Sequence, residues 1–276
     1  MFELNIINKL RKPEDVFIKG KRLSDILAEH KLHAVIISGE DLSYIDFSNI
    51  TLGLGTIMTN NNFTGSLFKN VKLQFCDLSG SNFTNVKFID SYLIESHFSY
   101  CRFDLAIFEN MIITDTNFKG SITDKCYYLD TYPLICPKEG SFIAWKVCTT
   151  YTETIDNPIE KDRYIVKLEI PEDAKRLSST TKYGRCDKAK VLGIYGIYLC
   201  KDSFNKEVID DPTQSIESIH AGTRIIKGDG KEKIVYTTYT TGEFVYPDSF
   251  DDDRWNLYTH GIHFYMNLED IEWILN

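Results

Sequence analysis

The chain has 276 residues, 43% of them hydrophobic, and carries 31 basic against 40 acidic side chains for a net charge of −9. That is enough apolar material for a substantial core and, by length, for two domains, while the acidic balance argues against a general nucleic-acid binder. The first residues lack the long apolar run of a signal peptide and no segment reaches the roughly 20 apolar residues of a membrane span, so no membrane association and a cytoplasmic location are expected, the host cytoplasm if the source is viral.

The charge is unevenly spread: 7 basic against 8 acidic residues over 1–60, 5 against 6 over 61–120, and 19 against 26 over 121–276. The acidity therefore sits in the second half. Seven cysteines (76, 101, 126, 136, 148, 186 and 200) form no CxxC pair. Neither a disulfide framework nor a zinc ribbon is indicated, and they read as small buried residues.

Residues 1–35 read as an N-terminal cap with a helix around Leu23, Ile26, Leu27 and His30, the histidine being a cap residue. From Phe63 the large apolar positions are Phe63, Phe68, Leu73, Leu78, Phe83, Phe88, Leu93, Phe98, Phe103, Phe108, Ile113 and Phe118, twelve hits at a spacing of five. A helix advances about 100° per residue, so a step of five scatters these groups around its axis. In a flat strand an odd step puts them on alternating faces. A chain that turns a corner once per five residues sends all of them to one interior, with stacked coils about 4.8 Å apart.

A twenty-residue period makes the columns uniform, as in Phe63/Phe83/Phe103 and Phe68/Phe88/Phe108, whereas fifteen mixes them. Four sides per coil follow. Two places before each large residue stands a mostly small one (Asn61, Ser66, Val71, Cys76, Ser81, Val86, Ser91, Ser96, Cys101, Ala106 and Thr116), with Met111 the crowded exception. Leu42, Phe47, Leu52 and Ile57 keep the spacing one step out of register, which predicts a one-residue insertion near Asn60 to Asn62 and about four coils over residues 36–121.

This run resembles the pentapeptide repeat family, whose consensus A(D/N)LXX has a central Leu or Phe and a small residue two before it. The resemblance implies a right-handed four-sided β-helix, so the fold class expected is mainly β. Members of that family also act as DNA mimics. That role needs a long, strongly acidic rod, and this repeat is short and nearly neutral, so binding to duplex nucleic acid or mimicry of it is not expected.

Residues 122–135 read as a linker or C-terminal plug, and 136–276 as a β-rich α+β domain. Strand-like runs cover Ser141 to Cys148, Tyr164 to Ile170 and Ala189 to Leu199. A hairpin is expected over Lys233 to Val245, turning near Thr241-Gly242. A strand over Gly261 to Met266 then leads into a short helix capped at Asn267, with Leu268, Ile271 and Leu275 on one face.

Several strings here, among them Cys136-Pro137, Gly140 to Lys146, Ile165 to Pro171, Ala174-Lys175-Arg176, Arg185-Cys186, Asp253-Arg254-Trp255 and Gly261 to Phe264, resemble an uncharacterised domain that follows pentapeptide repeats in bacterial, phage and giant-virus proteins. That resemblance implies shared architecture and no particular reaction.

Between Lys175 and Lys190 six basic residues, Lys175, Arg176, Lys182, Arg185, Lys188 and Lys190, meet one acid, Asp187, with Ser178, Ser179, Thr180 and Thr181 among them. Guanidinium and hydroxyl groups on a loop suit phosphate or carboxylate, so Lys175, Arg176, Ser178, Ser179, Arg185 and Lys188 are candidates for an anion site, against the plainer reading of a solvated basic loop. Asp251, Asp252 and Asp253 with His260 and His263 are the weaker candidates for a divalent metal. Cys136 or Cys186 with His263 could supply a nucleophile and base, though no spacing supports it.

No cofactor is indicated. The expected function is a non-catalytic binding or scaffold protein whose solenoid presents the C-terminal domain to a protein partner. The alternative is capture of a small anion such as a nucleotide signal by the 175–190 segment, an anti-defence role if the source is viral. An uncharacterised enzyme comes third.

Overall fold

A computed structural model describes residues 10–29, 35–53, 55–123, 125–129, 132–151, 160–199, 206–210, 215–226, 232–257 and 259–274. His30, Cys200 and Leu275, named above, lie outside these. The chain divides into two compact units, residues 1–133 with Trp255–Leu257, and the remainder. Among the described residues no helix is long and apolar enough to cross a membrane.

The first unit opens with a two-stranded hairpin, β1 (Phe17–Ile18) and β2 (Lys21–Arg22), followed by helix α1 (Leu23–Ala28). Leu23 and Leu27 are buried and Ile26 packs against the same core, so the helix lays one apolar edge against the first coil.

Seven short strands come next: β3 (Thr51–Leu52), β4 (Leu67–Lys69), β5 (Lys72–Gln74), β6 (Lys87–Ile89), β7 (Tyr92–Ile94), β8 (Ile107–Glu109) and β9 (Ile112–Thr114). They stack in parallel as two faces, β4-β6-β8 and β3-β5-β7-β9. The other two faces are held by single bridges, Ile57 to Asp77 to His97 to Asn117 and Asn62 to Asn82 to Arg102 to Ile122. The coil is four-sided. All twelve repeat residues are at most 5% exposed, and the phenylalanines stack along the axis: Phe63 on Phe83 at 4.8 Å and 7°, Phe83 on Phe103 at 5.2 Å and 11°.

Each corner is made by the residue two places after the inward one, and from Asn60 to Gly120 it has positive φ at every step. Asn60, Gly65, Asn70, Phe75, Gly80, Asn85, Asp90, Glu95, Tyr100, Leu105, Asn110, Asp115 and Gly120 all lie between 48° and 71°. That conformation is costly for any side chain with a Cβ, and asparagine and aspartate tolerate it best. Glycine is required for a second reason at Gly65 and Gly120: a Cβ there would stand 2.5 Å and 2.7 Å from the rings of Tyr44 and Tyr100 on the preceding coil.

The small residues of the second inward column have a chemical task. Ser91 Oγ accepts the N–H of Val71, one coil back, at 2.9 Å, and donates to the carbonyls of Ile89 and Phe68 at 2.7 and 3.2 Å. Ser66, Ser81, Ser96 and Ser121 likewise accept from Ile45, Asn61, Cys76 and Cys101. Hydroxyls thus satisfy buried corner N–H groups that the ladder cannot reach.

The register insertion lies earlier than the spacing predicts. Thr51 pairs with Lys72 and Asp46 with Leu67, steps of 21 residues, whereas Ile57 pairs with Asp77, a step of 20. Met58, 1% exposed, takes the inward place and Ile57, 38% exposed, faces out. The extra residue sits in the corner from Gly53 to Thr56, where Thr56 N and Oγ1 both donate to Gly53 O at 3.1 and 2.7 Å. The ladder also runs past 121: Ile107 bridges Tyr127, and the fivefold apolar signal stops at Phe118 because buried Thr123 follows it. Leu129, Tyr132 and Trp255 close this end, with Trp255 5.5 Å from the Phe118 ring and Tyr132 Oη donating to Ile113 O at 3.0 Å.

The second unit contains β10 (Phe142–Tyr151), β11 (Glu160–Ile170), β12 (Arg176–Ser178), β13 (Tyr183–Cys186), β14 (Ala189–Leu199), β15 (Lys206–Asp210), β16 (Ser215–Ile226), β17 (Glu232–Thr240), β18 (Phe244–Val245) and β19 (Ile262–Tyr265). One sheet runs β12-β13-β19-β10-β11-β14-β15 with β18 also on β14, and β16-β17 forms a separate pair. Alternation along β10 sends Ala144, Lys146 and Cys148 to one face, with Ile216 and Tyr239 of the separate hairpin completing that core. Trp145 and Val147 go to the other face, with Ile165 and Ile271.

Two expectations change here. A turn does occur at Thr240 to Glu243, with Gly242 at φ +89°, but its two strands part company: β17 pairs with β16, and β18 with β14. The terminal helix is a 3-10 helix, Leu268–Ile274, which buries Ile271 and leaves Leu268 39% exposed, because three residues per turn cannot keep the predicted α-helical face.

Ser91→Ala should lower stability by about 1–3 kcal/mol, since it strands the buried Val71 N–H. Urea unfolding followed by far-UV dichroism measures this, and an unchanged midpoint would show that the hydroxyl does not carry the bond.

Candidate functional site

The segment that reads as a basic loop is the β12–β13 hairpin. Its composition misleads because two of its arginines point inward and are satisfied by main chain. Arg176, 9% exposed, donates from Nη1 to Gly140 O at 2.6 Å and Pro137 O at 3.4 Å, from Nη2 to Pro171 O at 2.6 Å and Glu172 O at 2.7 Å, and from Nε to Ala174 O at 3.2 Å. Its guanidinium carbon stands 5.2 Å from the centre of the Phe142 ring. One planar fork therefore laces residues 137–140 and 171–174 onto the hairpin.

Arg185, 3% exposed, does the same on the other strand. It donates to Asp251 O from Nε and Nη2 at 3.2 and 3.1 Å and to Asp253 O from Nη2. Burial pulls its pKa below the ordinary arginine range, and the carboxylates of Asp251 and Asp253 oppose that shift. Gly261 makes room for it, since a Cβ there would lie 3.2 Å from Arg185 Cβ and Cδ.

The other anion candidates are dispersed. Ser178 Oγ accepts the Ile135 N–H at 2.9 Å, and Ser179 Oγ is buried with no hydrogen-bond partner among the described residues. Lys175 is exposed, its N–H on Asp187 Oδ1 at 2.9 Å and its Nζ 3.8 Å from Asp252. Lys188 pairs with Asp173 at 2.5 Å, a contact that raises the lysine pKa and lowers the aspartate's. The guanidinium donors on which the anion reading depended are turned toward carbonyl oxygens, and two of the four remaining lysines already face carboxylates.

The acidic and histidine candidates are also structural. Asp251 Oδ1 accepts the Asp253 N–H at 2.9 Å and Oδ2 the Thr259 hydroxyl at 2.7 Å, while His260 Nδ1 lies 2.9 Å from Asp248 Oδ2. His263 stands opposite Arg185 in the β13–β19 register, its ring 5.4 Å from that of Tyr183. Among the described residues no three His, Cys, Asp or Glu side chains converge as a metal site would need. Desolvation pushes the thiols of Cys136 and Cys186 up, away from the thiolate a nucleophile requires.

What sequence reading missed is Lys146. It lies in the middle of the apolar core, 7% exposed, with Cys148, Cys186 and Tyr239 around it, all 0% exposed. Its Nζ reaches His263 O at 3.4 Å and stands 6.0 Å from the centre of the Tyr239 ring, and among the described residues no carboxylate pairs with it. Desolvation lowers its pKa from 10.5, with Cys148 and Cys186 opposing weakly, and raises that of Tyr239 well above 10.0. The signal was present in the string Ile143-Ala144-Trp145-Lys146-Val147-Cys148, where a lysine interrupts a strand apolar on both faces.

Arg176→Lys should destabilise the chain nearly as much as Arg176→Ala, by about 2–4 kcal/mol, because an ammonium cannot reach carbonyls on two separate segments. Denaturant midpoints of both variants decide it; wild-type stability in the lysine variant would mean that charge alone suffices. Lys146→Met should raise the melting temperature at pH 7. A depressed folded-state pKa means that the unfolded chain binds the extra proton below 10.5, so wild-type stability rises with pH toward that value, and the variant should lack this part of the slope. An equal slope in both would place the amine in water.

Solved structures similar to the chain include HetL, a pentapeptide repeat protein involved in heterocyst differentiation regulation from the cyanobacterium Nostoc, at 16% identity and a TM-score of 0.33 over 36% of this chain and 46% of HetL. QnrB1, a plasmid-mediated fluoroquinolone resistance protein, is 17% identical with a TM-score of 0.21 over 32% of this chain and 55% of that one. The chain thus spans about half the length of these matches. Among curated proteins none matches. The family described as pentapeptide repeats (8 copies) matches residues 55–85, and a family of unknown function, DUF5758, matches residues 132–271, just over half of the 276. The chain belongs to the DUF5758 family and carries pentapeptide repeats ahead of that domain.

Proposed function

We propose that the chain is a non-catalytic binding protein whose solenoid docks a protein partner through the β3-β5-β7-β9 face. The observation that carries this reading is the outward column Lys72, Tyr92 and Ile112, held in register on successive coils, with Tyr92 and Ile112 42% and 50% exposed. Phe75, at a corner next to this face, is 50% exposed. Tyrosine and aliphatic side chains of this kind are what protein interfaces use at their centres. A ladder that fixes their spacing before contact also lowers the ordering cost of binding.

The face that presents Asp77, His97 and Asn117 is of mixed character, and so is the one with Asn82 and Arg102. That pattern favours a protein partner over mimicry of a polyanion.

The test is a double variant, Tyr92→Asp with Ile112→Asp. Both side chains point outward, so the melting temperature should stay close to wild type. Protein captured from a lysate of the source organism by immobilised wild-type chain should fall at least tenfold on the double variant, and should persist on a control carrying Asn82→Asp with Arg102→Ala. Equal recovery on all three chains would sink the proposal.

A further inference from the structure

We infer that the partner segment taken by the β3-β5-β7-β9 face is a basic amphipathic helix laid along the solenoid axis, its apolar stripe on Tyr92 and Ile112 and its lysines or arginines over the carboxylates at the two corners. The inference rests on the docking reading above and adds the chemistry of the partner.

Charge divides the face along its length. Lys72 stands at one end, whereas the two coils that follow bring Asp90, Glu95 and Asp115 to the corners and, over residues 90–95 and 110–115, no basic side chain. Asp90 is the corner before β7, and Glu95 and Asp115 are the corners after β7 and β9, so carboxylates border the outward pair Tyr92 and Ile112 on both sides. An apolar centre between anionic rims is complementary to a segment whose apolar residues are flanked by basic ones. The corner that holds Asp90 adds a second observation. Its residues Asn49, Asn70, Asp90 and Asn110 form a side-chain ladder, in which Asn70 Nδ2 donates to Asn49 Oδ1 at 2.9 Å and Asn110 Nδ2 to Asp90 Oδ1 at 3.1 Å. Among the described residues the rung between Asn70 and Asp90 is missing, because a carboxylate has no proton to give. Acceptor oxygens on successive coils are thus left for an outside donor, and an ammonium or guanidinium group is the strongest one a protein can offer.

The dimensions select a helix. Four strands stacked at about 4.8 Å span roughly 14 Å along the axis, the length of about ten helical residues. A patch that tall and one short strand wide, about 10 Å, offers much less than the roughly 800 Å² per partner of a stable complex between globular chains, which favours a short segment over a second copy. Along a helix the rises from i to i+3 and i+4, about 4.5 and 6.0 Å, bracket the coil spacing, whereas same-side residues of an extended segment stand about 6.8 Å apart. Lys72, at the far end from the carboxylates, suits the negative C-terminal pole of such a helix and so sets its direction.

The probes are labelled synthetic peptides of about fourteen residues, read by fluorescence anisotropy against the full chain. One has Leu and Ala on a single helical face with Lys on both flanks, one has Glu in place of every Lys, and one is a scramble of the first with no apolar face. The lysine peptide should bind about tenfold more tightly than either of the others. Its affinity should fall about fivefold on Asp90→Asn with Glu95→Gln, and by less than about twofold on Glu139→Gln with Glu243→Gln, which removes two exposed charges elsewhere. Asp90→Asn supplies the missing rung, so the first variant should keep or raise the melting temperature, and its loss of binding is then not a loss of fold. The inference is overturned if the glutamate or scrambled peptide binds as well as the lysine peptide, if the two variants lose equally, or if the lysine peptide shows no binding below about 1 mM. In that event, capture that still falls on Tyr92→Asp with Ile112→Asp leaves the docking face standing with a partner of other chemistry, and equal capture on every chain removes the face as well.

Discussion

One residue in five must turn left. That constraint, repeated at each described corner of the solenoid, sets the rest of its structure: it bends the chain through a side, aims the next large residue inward, and brings each coil over the last at ladder distance. A left-handed corner costs each non-glycine residue of order 1 kcal/mol, and it persists because the surrounding stack leaves no other path. Stacked phenylalanines supply the attraction. Serine hydroxyls absorb the N–H groups that the turning leaves over.

The second unit solves a related problem by another means. Its β12–β13 hairpin and the loops around it carry main-chain carbonyls that no strand can pair, and two buried guanidinium groups collect them. Charge in this region therefore acts as scaffolding. The same unit tolerates an ammonium-capable side chain in its apolar centre, which a hydrophobic residue of similar length would fill at lower energy. The contrast between the arginines, fully matched with acceptors, and Lys146, hardly matched at all, separates groups that hold the fold from one that holds it back.

The solenoid was legible because burial at every fifth position restricts residue type so strongly that twelve side chains announce it together. Its corners were not. Phe75, Glu95, Tyr100 and Leu105 all occupy left-handed positions that composition would not assign to them, since the stack, not the residue, chooses the conformation. The insertion was misplaced for the same reason: Ile57 and Met58 are equally suitable inward residues, and only the pairing of Thr51 with Lys72 tells which one turns in. In the second unit the long strands β10, β11 and β14 were visible by their apolar alternation. The β12–β13 hairpin was hidden, because arginine reads as solvent-facing until its five donors are counted against the carbonyls around it.

The coil that closes in 21 residues, while those after it close in 20, resembles an edge dislocation in a crystal. Pairing continues on either side of the misfit, Thr51 with Lys72 before it and Ile57 with Asp77 after it, so the extra residue is taken up between them. A straight sheet has no such reserve, since a one-residue slip there exchanges its two faces along the whole strand. Corners give a repeat of this kind a way to absorb changes in length locally. Its sequence can drift out of phase with itself while the column of rings at its centre stays in line.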